Sequence, residues 1–250
     1  MKLLILLLLI APSATTDVWQ RHVESMKGDS FDSPKPHSLS YFTRDPFLRD
    51  DADQFCADCT PKGKVQLHTQ HRFKTDIRKV GVLQGFGIYD VLYRFDDQVE
   101  TGEVDWKSIL IKVSPGQFRE IYHLQPIAGR VEPSFLMRAG ADQILATRML
   151  IPGTGNNYYE DYFWFSPGGP VRIDIETITA ALKSILPAGS GVWKGGGLDM
   201  RSLSYHNSVW KDRDANCCPS GGAVDIRFRI DDGRVIVTSK HFDPLAKPVD

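Results

Sequence analysis

The chain has 250 residues, of which 42% are hydrophobic and 24% are charged. This composition is typical of a globular protein, and it excludes collagen-like, coiled-coil and wholly disordered classes. The formal net charge of −1 provides no overall attraction to nucleic acid or to an anionic membrane, so no nucleic-acid partner is predicted.

Residues 1–16 have the layout of a secretory signal peptide. Lys2 supplies a positive start, residues 3–11 are apolar, and small residues follow Pro12. The apolar run is far shorter than the ~20 residues needed to cross a bilayer. The sequence therefore predicts a cleaved signal peptide and a periplasmic or secreted mature chain without a membrane span. Disulfides persist in such a compartment.

The rest of the chain divides by hydrophobic pattern. Residues 17–63 are polar and lack a regular period, which indicates an irregular N-terminal arm. Strand-like patterns predict a β-rich subdomain over 64–174. A helix plus a C-terminal β subdomain is predicted over 175–242, followed by a tail over 243–250. The length also allows the two subdomains to be one domain.

Apolar and polar residues alternate in several of the predicted strands. In Tyr89–Phe95 the odd positions are apolar, and Asp90 and Arg94 lie between them. This alternation predicts a half-buried strand with its polar side facing solvent.

Turn residues and one helical repeat complete the predicted fold. Pro115-Gly116 suits the centre of a type II turn between two strands. Asp231-Asp232-Gly233 predicts a hairpin turn. An amphipathic helix is predicted after Asp174, its expected N-cap, from four apolar residues at helical spacing: Ile175, Ile178, Leu182 and Ile185. The predicted fold class is mainly β (α+β), with antiparallel sheets or meanders and one amphipathic helix packed on them.

The four cysteines form two close pairs, Cys56 with Cys59 and Cys217 with Cys218. In an oxidising compartment all four are predicted to form disulfides. Local pairing and two ways of linking the arm to the C-terminal region remain open, because spacing alone does not choose a connectivity. A link closing ~160 residues would stabilise by ~5 kcal/mol, whereas a local bridge contributes ~2 kcal/mol or less.

Two functional hypotheses compete with a disulfide at Cys56 and Cys59. A C-x-x-C pair can be a redox-active dithiol, although the βαβ context that supports this is missing. Combined with His68 and His71, the pair has the residue types of a zinc site. Two histidines three residues apart on a strand face opposite sides, which argues against zinc. Neither a metal nor another cofactor is therefore predicted.

The densest aromatic cluster lies between residues 158 and 165. Aromatic faces stack on sugars, and amides can supply a polar rim to such a site. Because neighbours on a strand face opposite sides, core packing is the competing interpretation for about half of these rings. A glycan or an envelope protein is the candidate partner. The candidate binding residues are Tyr158, Tyr159, Trp164, Asn156 and Asn157.

Metal and catalytic motifs are weak in this chain. Asp212, Asp214 and Asn216 have the spacing that opens a calcium loop. Cys217 and Ala223 stand where an EF-hand needs glycine and glutamate, so that motif is excluded. No nucleophile elbow, zinc-protease helix, phosphate-binding loop or dinucleotide fingerprint is present, so catalytic residues stay unassigned.

The segment 214–222 reads Asp-Ala-Asn-Cys-Cys-Pro-Ser-Gly-Gly and precedes the C-terminal strands. It resembles the D-x-x-C-C-P-S segment of uncharacterised exported bacterial proteins. The resemblance implies a bacterial exported protein with a structured cysteine turn, and it implies no catalytic residues.

The sequence thus favours an exported, β-rich binding or interaction module that is not catalytic and is stabilised by disulfides. One alternative is an exported hydrolase or metal-dependent enzyme without a recognisable motif. A second alternative is a thiol-redox protein that uses its C-x-x-C pair.

Overall fold

The computed structural model describes residues 29–30, 35–44, 73–95, 106–124, 130–150, 158–192, 198–215 and 217–247. In chain order the strands are β1 Asp29–Ser30, β2 Phe73–Leu83, β3 Phe86–Phe95, β4 Trp106–Ser114, β5 Gln117–Leu124, β6 Arg130–Val131, β7 Phe135–Ala139, β8 Asp142–Leu150, β9 Tyr158–Ser166, β10 Gly169–Arg172, β11 Ser190–Gly191, β12 Leu198–Asp199, β13 Ser204–Ser208, β14 Trp210–Lys211, β15 Ala223–Asp231 and β16 Arg234–Asp243. The helices are α1 Leu39–Phe42 and α2 Glu176–Ile185. Each pairing between these strands is antiparallel, which confirms the mainly β fold class.

Sheet A contains five strands in the order β1-β5-β4-β3-β2. One of its faces packs on sheet B through a shared apolar core. Its other face carries Val91, Tyr93 and Leu110, against which Phe42 of α1 packs with 1% of its surface exposed. The Tyr93 hydroxyl donates to the Phe42 carbonyl at 2.9 Å. Residues 35–44, within the predicted irregular arm, therefore cover the outer side of sheet A.

Strand β3 is buried on both faces, so the predicted exposure of its polar side is wrong at Asp90. This residue has no exposed surface, and its carboxylate accepts the Ser134 backbone N–H at 2.6 Å. Charge at every second position usually marks a solvent face. Here a second layer covers that face, because sheet B packs on one side of β3 and α1 lies over the other.

Sheet B is the central layer, with the order β10-β9-β8-β6 and with β7 also paired to β8. Its face toward sheet A carries Leu145, Met149 and Phe163. Its opposite face carries Ile144 and Tyr162, which pack with α2 and sheet C. This second core crosses the predicted subdomain boundary at residue 174, and the division into subdomains stays a prediction.

Sheet C has the order β12-β13-β15-β16, and α2 packs against β16 and β15. The amphipathic helix is confirmed, with Ile178 and Ala181 buried. Ile175 occupies the N-cap position, one residue after the predicted cap. Asp174 nevertheless accepts the Glu176 backbone N–H at 2.8 Å, so it satisfies one of the free N–H groups at this helix end.

Both predicted turns are present where the chain needs a positive φ angle. Gly116, with φ of +71°, lies in the two-residue connection between β4 and β5. Asp232 and Gly233, at +49° and +78°, join β15 to β16 as a type I′ hairpin requires. Neither helix of the described ranges has the length and apolar character that a membrane-crossing helix needs.

Candidate functional site

Several residues singled out in the sequence lie outside the described ranges. The signal peptide is among them, so export stays a prediction. The C-x-x-C disulfide or dithiol, its zinc alternative and the amide rim stay predictions as well. The individual residues are Cys56, Cys59, His68, His71, Asn156 and Asn157.

The aromatic strand β9 divides its rings between two faces. Tyr159 points toward sheet A, where its hydroxyl donates to Asp161 at 3.1 Å. Trp164 is half-buried on the opposite face, in the core shared with sheet C. Tyr158 is also half-buried, and the Arg148 guanidinium lies 4.8 Å from its ring centroid. The structure therefore does not bring Tyr158, Tyr159 and Trp164 to one surface.

Arg148 already occupies the neighbourhood of the Tyr158 ring. Its guanidinium lies 5.5 Å from the Phe135 ring, and its Nε donates to Glu160 at 2.6 Å. Burial disfavours the arginine charge, but the hydrogen bond and charge of Glu160 outweigh this and raise the pKa of Arg148. One side of Tyr158 is thus covered by an ion pair, which reduces its use as a stacking surface for a sugar.

A buried polar cluster links sheets A and B. Lys107 of β4 has no exposed surface, and its Nζ donates to the Glu132 carbonyl at 2.6 Å and to the Thr147 hydroxyl. Burial lowers the pKa of Lys107 to about 8, against the opposing charges of Asp90, Glu132 and Asp161. Burial and the nearby carboxylates thus oppose each other, and with a pKa of about 8 the Lys107 side chain is mostly protonated at pH 7.

Asp161 of β9 is the second centre of this cluster, with 6% of its surface exposed. It accepts two hydrogen bonds from Arg172, at 2.6 and 3.0 Å, and one each from the hydroxyls of Tyr122 and Tyr159. Burial, reinforced by the Asp161 charge, raises the pKa of Tyr122 and keeps its proton in this bond. Because the members bond to one another across two sheets, the cluster fits a structural role that fixes how the sheets pack.

Sequence reasoning missed this cluster, although weak signals were present. Lys107 interrupts a predominantly apolar strand, and Asp161 interrupts an aromatic one. Charged residues are rarely buried unless they are paired, and the partners come from strands far apart in sequence.

The loop between β14 and β15 holds the cysteine pair. We call residues 212–222 the cysteine loop. The Asp214 carboxylate accepts the backbone N–H groups of Lys211 and Ser220, at 2.8 and 2.7 Å, and the Ser220 hydroxyl at 2.7 Å. The hydrogen bond from Lys211 and those from Ser220 lower the pKa of Asp214. Asp214 thus connects the two ends of the loop, and its carboxylate oxygens already accept hydrogen bonds from the protein.

The cysteine loop brings two exposed cysteine residues together. Cys217 and Cys218 are both exposed, and their Sγ atoms lie in disulfide contact. Among the described residues, no group of three or more His, Cys, Asp or Glu side chains is arranged to hold a metal ion.

The two glycines that end the loop are tightly enclosed. A Cβ on Gly221 would lie 2.7 Å from the Val209 carbonyl oxygen, and one on Gly222 would lie 2.1 Å from the Asp243 carbonyl oxygen. Gly222 also has φ of +96°. The Asp, Ser and Gly-Gly positions of the segment 214–222 therefore have a structural explanation.

Gly222→Ala is expected to destabilise the chain by about 2 kcal/mol more than Gly116→Ala. Both glycines have a positive φ, which alone costs an alanine about 1 kcal/mol. Only Gly222 faces backbone atoms, since nothing lies within 4 Å of a Cβ on Gly116. Urea unfolding of both variants measures the difference, and equal losses would contradict the enclosure of Gly222.

An exposed row of polar residues crosses sheet C. His206 of β13 pairs with Asp225 of β15, which pairs with His241 of β16. His206 Nδ1 lies 2.5 Å from Asp225 Oδ1, and these side chains are 45% and 49% exposed. The sequence offered no signal for this row, because its members come from three separate strands.

The row and the cysteine loop lie at the same end of sheet C. At this end Ser208 pairs with Ala223, Ala223 pairs with Asp243, and the cysteine loop runs into β15. The row His206–Asp225–His241 lies two residues farther along the strands. We call the row and the loop together the loop end of sheet C.

The chain matches no protein-family model, no curated protein and no solved structure. The resemblance of the segment 214–222 to exported bacterial proteins therefore stays a prediction. Among the described residues, the loop end of sheet C is the strongest candidate site.

Proposed function

We propose that this chain is an exported bacterial binding module, not a catalyst, and that it presents the loop end of sheet C to a protein partner in its compartment. The observation that carries the proposal is the exposed row His206–Asp225–His241 beside an anchored loop with two exposed cysteine residues. By contrast, Lys107 and Asp161 of the polar cluster between sheets A and B are buried and form their hydrogen bonds within the protein.

Export is supported by the chemistry of the cysteine loop. Disulfides form and persist in the periplasm and outside the cell, and they are rare in the cytosol. The contact between Cys217 and Cys218 fits the compartment that residues 1–16 predict.

The exposed position of the row on sheet C favours a protein partner. Small-molecule sites are concave and enclose most of their ligand, whereas protein interfaces are broad. The row lies on the solvent side of an antiparallel sheet, where imidazole and carboxylate groups are available to a facing surface. A glycan is the alternative partner, and photo-crosslinking separates the two.

The test places a photo-reactive amino acid at position 241 in the full chain expressed in a bacterium that exports it. We expect irradiation to join the mature protein to one defined protein partner. The matched control places the same amino acid at position 112, where the exposed Lys112 belongs to β4 of sheet A. Equal products at both positions, no product at either, or a glycan adduct at 241 would overturn the protein-partner proposal.

A hydrolase is the second candidate, and one observation favours it. The bond between His206 Nδ1 and Asp225 is the orienting half of a Ser-His-Asp triad, which leaves Nε2 to act as a base. Ser204 and Ser208 flank His206 on the same strand. A fluorophosphonate probe should label the chain, and His206→Ala should abolish the labelling, if this candidate is right. Absence of labelling supports the binding module.

A further inference from the structure

We propose that Cys217 and Cys218 form a reversible thiol–disulfide exchange site whose reaction partner is a dithiol. This inference does not depend on the proposed partner binding. It rests on three features of the cysteine loop: the exposure of both cysteine residues, the minimal size of the ring that they close, and the separate anchoring of the loop ends.

Exposure decides whether a disulfide can exchange. The reaction begins when a thiolate approaches one sulfur along the S–S axis, so a buried bond is protected and an exposed one is not. Cys217 and Cys218 are both exposed, and they follow an exposed turn after β14. We therefore expect an external thiolate to reach this bond in the folded protein.

The small size of the ring means that the Cys217–Cys218 bond adds little to the free energy of unfolding. The entropy that a disulfide removes from the unfolded chain grows with the number of residues in the closed loop. Cys217 and Cys218 are adjacent, so they close the smallest loop a chain allows. Opening the bond consequently leaves nearly all of the folding free energy in place.

The loop ends are held by contacts that do not involve sulfur. Asp214 binds Lys211 and Ser220, and the Gly221 backbone N–H donates to the Val209 carbonyl at 2.7 Å. The Val209 N–H donates to the Gly222 carbonyl at 2.9 Å. These bonds keep the β14–β15 connection in place when the pair is reduced, so the change is confined to the tip.

The exchange consists of two successive attacks of a thiolate on sulfur. A thiolate of the dithiol attacks one protein sulfur, forms a mixed disulfide and displaces the other cysteine as a thiolate. The second thiol of the reagent, as its thiolate, then attacks the mixed bond and releases the first cysteine. The protein disulfide gains two electrons and two protons, and the dithiol is oxidised to its cyclic disulfide.

The test uses the full chain purified from an oxidising compartment and dithiothreitol as the dithiol. After a short pulse, free thiols are alkylated and tryptic peptides are weighed. Cleavage after Arg213 and Arg227 isolates residues 214–227, and cleavage after Arg49 and Lys62 isolates residues 50–62 with the other two cysteines. The alkylation of each cysteine pair is therefore measured on a separate peptide.

We expect peptide 214–227 to gain two alkyl groups in the native protein. Denaturation in urea should speed this reduction by less than about tenfold, because the bond is already accessible. Removal of dithiothreitol under oxidant should restore the bond. The thermal midpoint of the reduced protein should stay within about 3 °C of that of the oxidised protein.

The double variant Cys217→Ser with Cys218→Ser is the matched control. It should fold and show no alkylation in this peptide, while residues 50–62 behave as in the parent. Native resistance to reduction, reduction only after unfolding, or covalent joining of the two peptides before reduction would each overturn the proposal. A positive thiol result combined with a negative cross-linking result would leave this inference intact and remove the proposed binding function.

Discussion

Lys107→Met is expected to lower the free energy of unfolding by about 3–5 kcal/mol at pH 7. Lys107 donates to the Glu132 carbonyl and to Thr147, and its charge faces Asp90 and Asp161 in the interior. Methionine fills similar space, but it removes the positive charge that faces Asp90 and leaves the Glu132 carbonyl and the Thr147 hydroxyl without the Lys107 donor. Urea unfolding of the purified variant measures the loss.

The same variant should remove a rise in stability at alkaline pH. Lys107 has a pKa of about 8 in the fold against an ordinary value of 10.5. Above about pH 8 the unfolded chain therefore binds more protons than the folded chain, so the free energy of unfolding rises with pH. This gain extends to about pH 10, where ionisation of tyrosines in the unfolded chain begins to oppose it, since burial raises the pKa of Tyr122.

Lys112→Met is the matched control, because Lys112 is exposed on the same strand as Lys107. It should change stability by less than about 0.5 kcal/mol and should leave the alkaline rise unchanged. If the two variants behave alike, Lys107 is not the buried group that the geometry describes. A double-mutant cycle with Asp90→Asn should also return a coupling of about 1–3 kcal/mol.

Asp161→Asn should cost about 3 kcal/mol, although it preserves the shape of the side chain. The carboxylate accepts two bonds from Arg172 and one from each of Tyr122 and Tyr159. An amide presents two donors where only acceptors are useful, and it removes the charge that pairs with Arg172. Thermal and urea unfolding should both show the loss.

Asp231→Asn tests the same chemistry at the surface. Asp231 pairs with Arg229 at 2.8 Å, and both side chains are about half exposed. Exposed ion pairs contribute between 0 and about 1 kcal/mol, so this variant should stay within that limit. If Asp161→Asn and Asp231→Asn lower the free energy of unfolding by similar amounts, the polar cluster does not hold sheets A and B together.

Local patterns were sufficient for much of the fold. The hairpin at Asp231-Asp232-Gly233, the turn at Pro115-Gly116 and the helix after Asp174 are set by residues that are neighbours in sequence. Their turn and capping preferences act over a few bonds and need no distant partner. The predicted solvent exposure of Asp90 was wrong, because this residue is covered by a sheet formed by a distant part of the chain.

In the candidate site, too, one part could be predicted from local sequence and the other part could not. The segment 214–222 was recognisable, and the structure explains its Asp, Ser and Gly residues by contacts within and beside the cysteine loop. The row His206–Asp225–His241 had no sequence signal, because strand register alone aligns residues that are 16 or more positions apart.

The amino-acid sequence by itself determined a near-neutral β-rich chain with one amphipathic helix and an adjacent cysteine pair. Composition, alternation and turn chemistry are local, so they can be recognised without coordinates. Only the tertiary structure decided that Lys107 and Asp161 are internal and that three strands place two histidines beside one carboxylate. Burial and register are properties of layers that meet across long separations, and no local pattern records them.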